Sequence, residues 1–134
     1  MVLSSPQFPT ISGYRIIEQI YSSSQTMIYR GVREKDQKRI VIKLMRNEYP
    51  TSNEIIQFRH QYFIRQNLNV PNIIKSYGLE NYGKTYAFIM EDFGGISLRD
   101  EINRWNRDKI RKTSDFLSCF LNIAIAVTSA LDEL

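Results

Sequence analysis

The chain has 134 residues, 43% hydrophobic and 24% charged, with a formal net charge of +4. That balance excludes a disordered or fibrous chain and describes one ordinary globular domain or a large piece of one. A single cysteine, Cys119, excludes an internal disulfide, and with one histidine it excludes a conventional zinc site, so no metal is expected. The basic residues are interspersed with acidic ones and form no stripe, so no nucleic-acid partner is expected. No secretory signal and no apolar run of membrane-spanning length occurs, which makes a cytoplasmic protein without a membrane partner the expectation.

Residues 1–12, with Pro6 and Pro9 among polar residues, read as a flexible leader that is loosely attached or lies over the surface. Residues 14–21 and 26–33 read as strands around the polar turn Ser22-Ser23-Ser24-Gln25, and the charged stretch 34–38 turns into a third strand. Three strands with short connections imply an antiparallel meander. In the third strand, Arg39-Ile40-Val41-Ile42-Lys43-Leu44-Met45, alternation puts Val41, Lys43 and Met45 on one face and Ile40, Ile42 and Leu44 on the other. An ammonium in an apolar strand calls for an anionic neighbour, such as a phosphate or a carboxylate, if it is buried. The alternative is a lysine guarding a sheet edge or reaching out to water.

The period then becomes helical. Thr51 is placed as an N-cap with Glu54 three residues on, and Ile55, Phe58, Tyr62 and Arg65 share a face, broadened by Ile56, Phe63 and Ile64. Pro71 ends this helix by Asn69. Residues 73–80 and 85–91 read as strands joined by Asn81-Tyr82-Gly83-Lys84. Phe93-Gly94-Gly95 is a flexible link, Ser97 and Asp100 open a further helix, and a mixed connection holds Trp105. From about 114 to 134, Phe116, Phe120, Ile123, Ala124, Val127, Ala130, Leu131 and Leu134 recur at helical spacing, with Cys119 as a small core residue. The wide apolar band of this last helix predicts an exposed patch suited to self-association or a protein partner.

This α+β order, five antiparallel strands with a helix after the third and a lysine on that third strand, resembles the small lobe of a eukaryotic-type serine/threonine protein kinase. Ile28-Tyr29 is similar to the end of the kinase glycine-rich loop, at the usual separation from Lys43. Asn67-Leu68-Asn69-Val70-Pro71-Asn72-Ile73-Ile74 resembles the segment leading into the fourth strand, and the run from Ile89 to Leu98 resembles the fifth strand, gatekeeper and hinge. The loop Ser22-Ser23-Ser24 and the phrase Glu91-Asp92-Phe93-Gly94-Gly95 also look like the kinase domain of large cyanobacterial proteins that combine serine/threonine and histidine kinases.

The resemblance implies a kinase-like small lobe over 13–92, with the hinge and start of an incomplete large lobe over 93–134. It implies ATP as the ligand: Lys43 on the phosphates, Ile28 and Val41 around the adenine, Met90 as gatekeeper, and the backbone of Glu91 and Phe93 on the base edge. Tyr21, Ser23 and Thr26 stand where that family has its three glycines, leaving hydroxyls in place of close backbone approach. Gln61 stands at the position of the helix glutamate and offers Lys43 a hydrogen bond without a charge. Asp92-Phe93-Gly94 spells a magnesium-binding tripeptide but falls at the hinge, and the acidic pairs Glu91-Asp92 and Asp132-Glu133 read as solvated surface. No H-R-D-x-x-x-x-N segment occurs before Leu134, so the catalytic base and magnesium ligands are expected beyond it, in a complete kinase, and this chain alone is expected to be inactive.

Overall fold

The computed structural model describes residues 7–66, 74–95, 98–107 and 113–132, and the chain divides into two compact units, one of residues 1–67 and 74–92 and one of residues 68–73 and 93–134. In the first unit, β1 (Tyr14–Ser22), β2 (Thr26–Arg33) and β3 (Lys38–Met45) form the expected meander, followed by α1 (Ser52–Gln66) and the hairpin β4 (Ser76–Tyr82) and β5 (Thr85–Glu91). All neighbouring strands pair antiparallel in the order β1-β2-β3-β5-β4. The last strand of the hairpin, not the first, therefore lies beside β3. This insertion makes β3 the central strand and removes the edge-guard explanation of Lys43.

Both faces of the sheet are apolar at its centre, and each has its own cover. On one face Ile40, Ile42 and Leu44 of β3 lie with Tyr29, Ala87 and Ile89, and all three β3 side chains are fully shielded from water. Their cover comes from the stretch expected to be a leader. Ile11 is buried in this cluster, and the Phe8 ring meets Tyr29 edge-on at 6.1 Å. The backbone is fastened as well, by Tyr14 N–H to the Ile11 carbonyl (3.1 Å) and Glu34 N–H to the Gly13 carbonyl (2.9 Å), with Gly13 at φ +87°. Residues 7–12 are thus packed, not loose, because two apolar side chains among the polar ones close a face that α1 does not reach; residues 1–6 lie outside the described part.

The other face carries Phe88 and Met90, against which α1 lays Phe58 and Tyr62. Phe88 is 1% exposed and meets Phe58 and Tyr62 edge-on, at 6.5 and 5.5 Å. Burying aromatics of this size stabilises by roughly 1.5–3 kcal/mol each. The helix begins as expected, with Thr51 Oγ1 accepting from Glu54 N–H at 3.2 Å. Its buried face is narrower than the sequence pattern, since Ile56, Phe63 and Ile64 are exposed. The Arg65 side chain, residues 67–73 and the start of the strand expected from 73 lie outside the described part.

In the second unit, α2 (Leu98–Arg107) contains Trp105, placed by sequence in a connection. Its indole N–H donates to Glu101 Oε1 at 2.9 Å, one turn back, and Asp100 and Glu101 near the N-terminus with Arg104 and Arg107 near the C-terminus suit the helix dipole. Helix α3 (Thr113–Asp132) keeps the expected spacing, with Phe120, Val127 and Leu131 exposed and Ile123 and Ala124 partly covered. Ser97, Leu134 and the side chains of Phe116, Cys119 and Ala130 lie outside the described part. No helix among the described residues is long and apolar enough to cross a membrane.

Candidate functional site

Directly paired residues on neighbouring antiparallel strands point to the same face. The register therefore assembles rows of side chains. Tyr21 pairs with Ile28, Ile28 with Lys43, Lys43 with Phe88, and Phe88 with Leu79. The next row runs Glu18, Arg30, Val41, Met90. Five of the residues singled out from sequence, Tyr21, Ile28, Val41, Lys43 and Met90, thus share the face on which α1 packs. Because α1 rests on β4 and β5, its cover stops short of the β1–β2 half of that face.

Lys43 sits at the boundary between covered and open halves. Its Nζ donates to Gln61 Oε1 at 2.9 Å, across from β3 to α1. This bond ties the sheet to the third turn of the helix and fixes where the ammonium sits. Val41 and Ile28 flank it, both half-buried, and Met90 is buried behind Val41. The result is an apolar floor with one cation held at its end, a combination suited to a ligand with a flat apolar part and an anionic tail.

The turn between β1 and β2 closes on itself. Ser23 Oγ accepts from the N–H groups of Gln25 (3.2 Å) and Thr26 (3.1 Å), lies 3.2 Å from Thr26 Oγ1, and Ser23 N–H donates to the Thr26 carbonyl at 2.8 Å. From the far end of β3, Arg46 clasps the same turn. Its Nε donates to the Ser23 carbonyl at 2.7 Å, its Nη2 to Ser22 Oγ, and its backbone N–H to the Gln25 carbonyl at 2.9 Å. Arg46 was missed from sequence, where an arginine after a strand gives no signal of which turn it will meet.

Beyond Gln61 a cleft of about 300 Å³ opens between this turn, the end of β3 and the first half of α1. Its lining includes Thr26, Asn47, Glu54, Gln57 and Gln61, and no lysine, arginine or histidine is among the described lining residues.

At the other end of the face, the acidic pair read as solvated surface is partly covered, and its Asp92 carboxylate is withdrawn from water. The Asp92 carboxylate is 1% exposed; Arg30 Nε approaches its Oδ2 to 2.8 Å and Arg39 Nε to 3.8 Å. The Arg30 approach is close but lies off the N–H axis, so it acts as an ion pair more than as an aligned hydrogen bond. Arg30 Nη1 also donates to Glu18 at 3.1 Å. Glu91 Oε1 accepts from Lys75 N–H (3.1 Å), and Glu91 N–H donates to the Lys75 carbonyl (3.0 Å). Both carboxylates thus brace the end of β5, because strand register carries Arg30 and Arg39 to that end, which the sequence alone does not reveal. Asp132 is exposed and Glu133 lies outside the described part. Phe93 belongs to the second unit, where its exposed ring lies against Gly95.

The fold is α+β, and its five-stranded antiparallel sheet with a packed helix fits the small lobe of a protein kinase. Over 94 residues, 69% of its length, the chain is 30% identical to the serine/threonine-protein kinase PrkC of Bacillus subtilis (strain 168). The chain spans 14% of the length of that relative. No protein-family model matches it. The similarity supports a kinase-related role.

Proposed function

We propose that this chain is the ATP-binding small lobe of a serine/threonine protein kinase of a signalling system, acting in the cytoplasm. The observation that carries the reading is the Lys43–Gln61 bond on the central strand, at the end of an apolar floor made by Ile28, Val41 and Met90. In this reading the adenine lies between Ile28 and Val41, Lys43 meets the first phosphates, and the backbone of Glu91 and Phe93 takes the base edge. Tyr21, Ser23 and Thr26 frame the phosphate end. Phosphoryl transfer by the usual route also needs a catalytic base and magnesium ligands, which these residues do not supply, so the activity assigned to this lobe is binding. The serine-rich turn aligns it with the kinase domains of cyanobacterial serine/threonine and histidine kinase hybrids.

The test is calorimetric titration of magnesium-ATP into the protein and into Lys43→Ala. Saturable binding weakened at least tenfold by the substitution supports the reading. Absence of binding to the folded wild-type protein refutes it.

A second reading, a pseudokinase-like interaction module, is favoured by the exposed Phe120, Leu121 and Ile125 of α3. It requires self-association or a protein partner through that helix. A monomer by sedimentation that binds no hydrophobic dye would refute it.

A further inference from the structure

An anionic group bound by a β-turn needs backbone N–H groups that point at it and are not already spent. In the β1–β2 turn those of Ser23, Gln25 and Thr26 are spent. Ser23 Oγ takes the N–H groups of Gln25 and Thr26, at 3.2 and 3.1 Å, and the Ser23 N–H is bonded to the Thr26 carbonyl at 2.8 Å. The two hydroxyls expected to replace glycine contacts lie 3.2 Å apart and bond each other. Arg46 fixes the opposite side of the turn through the carbonyls of Ser23 and Gln25. A phosphate seated here would have to break this set of bonds before making its own.

The cleft below the turn repels an anionic tail as well. Its polar lining is made of Ser24, Gln25, Thr26, Asn47, Glu54, Gln57 and Gln61, so the one ionised group among these is a carboxylate. A terminal phosphate extending past Lys43 toward α1 would meet Glu54 and neutral amides and hydroxyls, with no cation among the described lining residues to offset its charge.

From these two observations we infer that the site recognises nucleoside diphosphates as well as triphosphates and draws no affinity from the terminal phosphate. This inference rests on the nucleotide-binding reading above and refines it. Lys43, held at 2.9 Å by Gln61, supplies the phosphate contact, and it lies one strand pair in from the turn, opposite Ile28. Its reach covers the phosphates nearest the nucleoside. Ser23 becomes the residue that sets ligand preference, by occupying the amides a longer phosphate chain would use.

The experiment is calorimetric titration of adenosine, ADP and ATP, in one magnesium buffer, into the wild-type chain, Ser23→Gly and Ser23→Ala, with circular dichroism of each to verify the fold. The alanine variant removes Oγ without adding backbone freedom, so the pair separates released amides from a loosened turn. Expected are wild-type ADP and ATP affinities within threefold of each other, and in both variants at least a threefold gain for ATP with adenosine unchanged. Wild-type ATP binding tenfold or more tighter than ADP overturns the inference and leaves the nucleotide reading standing, as does a variant in which ATP gains no more than adenosine. Absence of binding by all three ligands overturns both.

Discussion

Replacing Gln61 by Glu puts a carboxylate where an amide oxygen already accepts from Lys43 Nζ at 2.9 Å. The geometry needs no rearrangement, so the change isolates the value of a charge. At this separation Coulomb's law gives about 1.4 kcal/mol in water and about 6 kcal/mol at an effective dielectric of 20, the latter an upper bound before desolvation. Gln61 is exposed and Lys43 half-buried, so the pair belongs near the aqueous limit, where exposed pairs couple by about 0.2–1 kcal/mol. A gain toward the top of that range is expected, because one partner is already fixed. Urea denaturation of wild type, Gln61→Glu, Lys43→Met and the double variant gives the coupling energy directly. A coupling of about 1 kcal/mol, halved or more in molar salt, supports the contact. Coupling below about 0.2 kcal/mol at low salt would refute the placement of Lys43 on α1.

Phe88→Ala removes the ring that Phe58 and Tyr62 pack against and should cost about 3–5 kcal/mol; a loss under about 1 kcal/mol in the same denaturation assay would contradict the packing of α1 on β5. Gly31→Ala should destabilise by about 1–3 kcal/mol, since its Cβ would fall 2.5 Å from the Arg15 carbonyl oxygen, a backbone atom that no rotamer can move. Thermal melting that is unchanged by Gly31→Ala would mean β1 is free to shift. Two hydrogen bonds from the Arg33 guanidinium hold Asp36 down to about 2 from its ordinary 3.8. A carboxyl lowered on folding stabilises above its unfolded value, and that contribution is lost as pH falls from about 4 to about 2. The melting-temperature advantage of wild type over Asp36→Asn should therefore shrink across that window, and an advantage that is constant there would refute the pair.

Much of the site was legible from local pattern. Period-two alternation placed Lys43 opposite the Ile40, Ile42 and Leu44 face, and helical spacing gave Phe58 and Tyr62 their inward face. Gln61 was singled out by the resemblance to the kinase small lobe and not by any period, and in the structure it accepts from Lys43 Nζ at 2.9 Å. Residue identity also marked the turn at Ser22-Ser23-Ser24.

What the sequence by itself determined, then, was the order of strands and helices, the period of most of them and the side from which Lys43 projects, since these depend on neighbours a few residues apart. Only the tertiary structure decided that β5 inserts beside β3, making the lysine strand central, because either strand of a hairpin can be the one that pairs. It alone decided that Phe8 and Ile11 close the second face, that Arg30 and Arg39 meet Asp92, and that Arg46 and Ser23 seal the turn. Each of these joins residues by a pairing register or by a polar group seeking its nearest partner in space, and neither leaves a period in the chain.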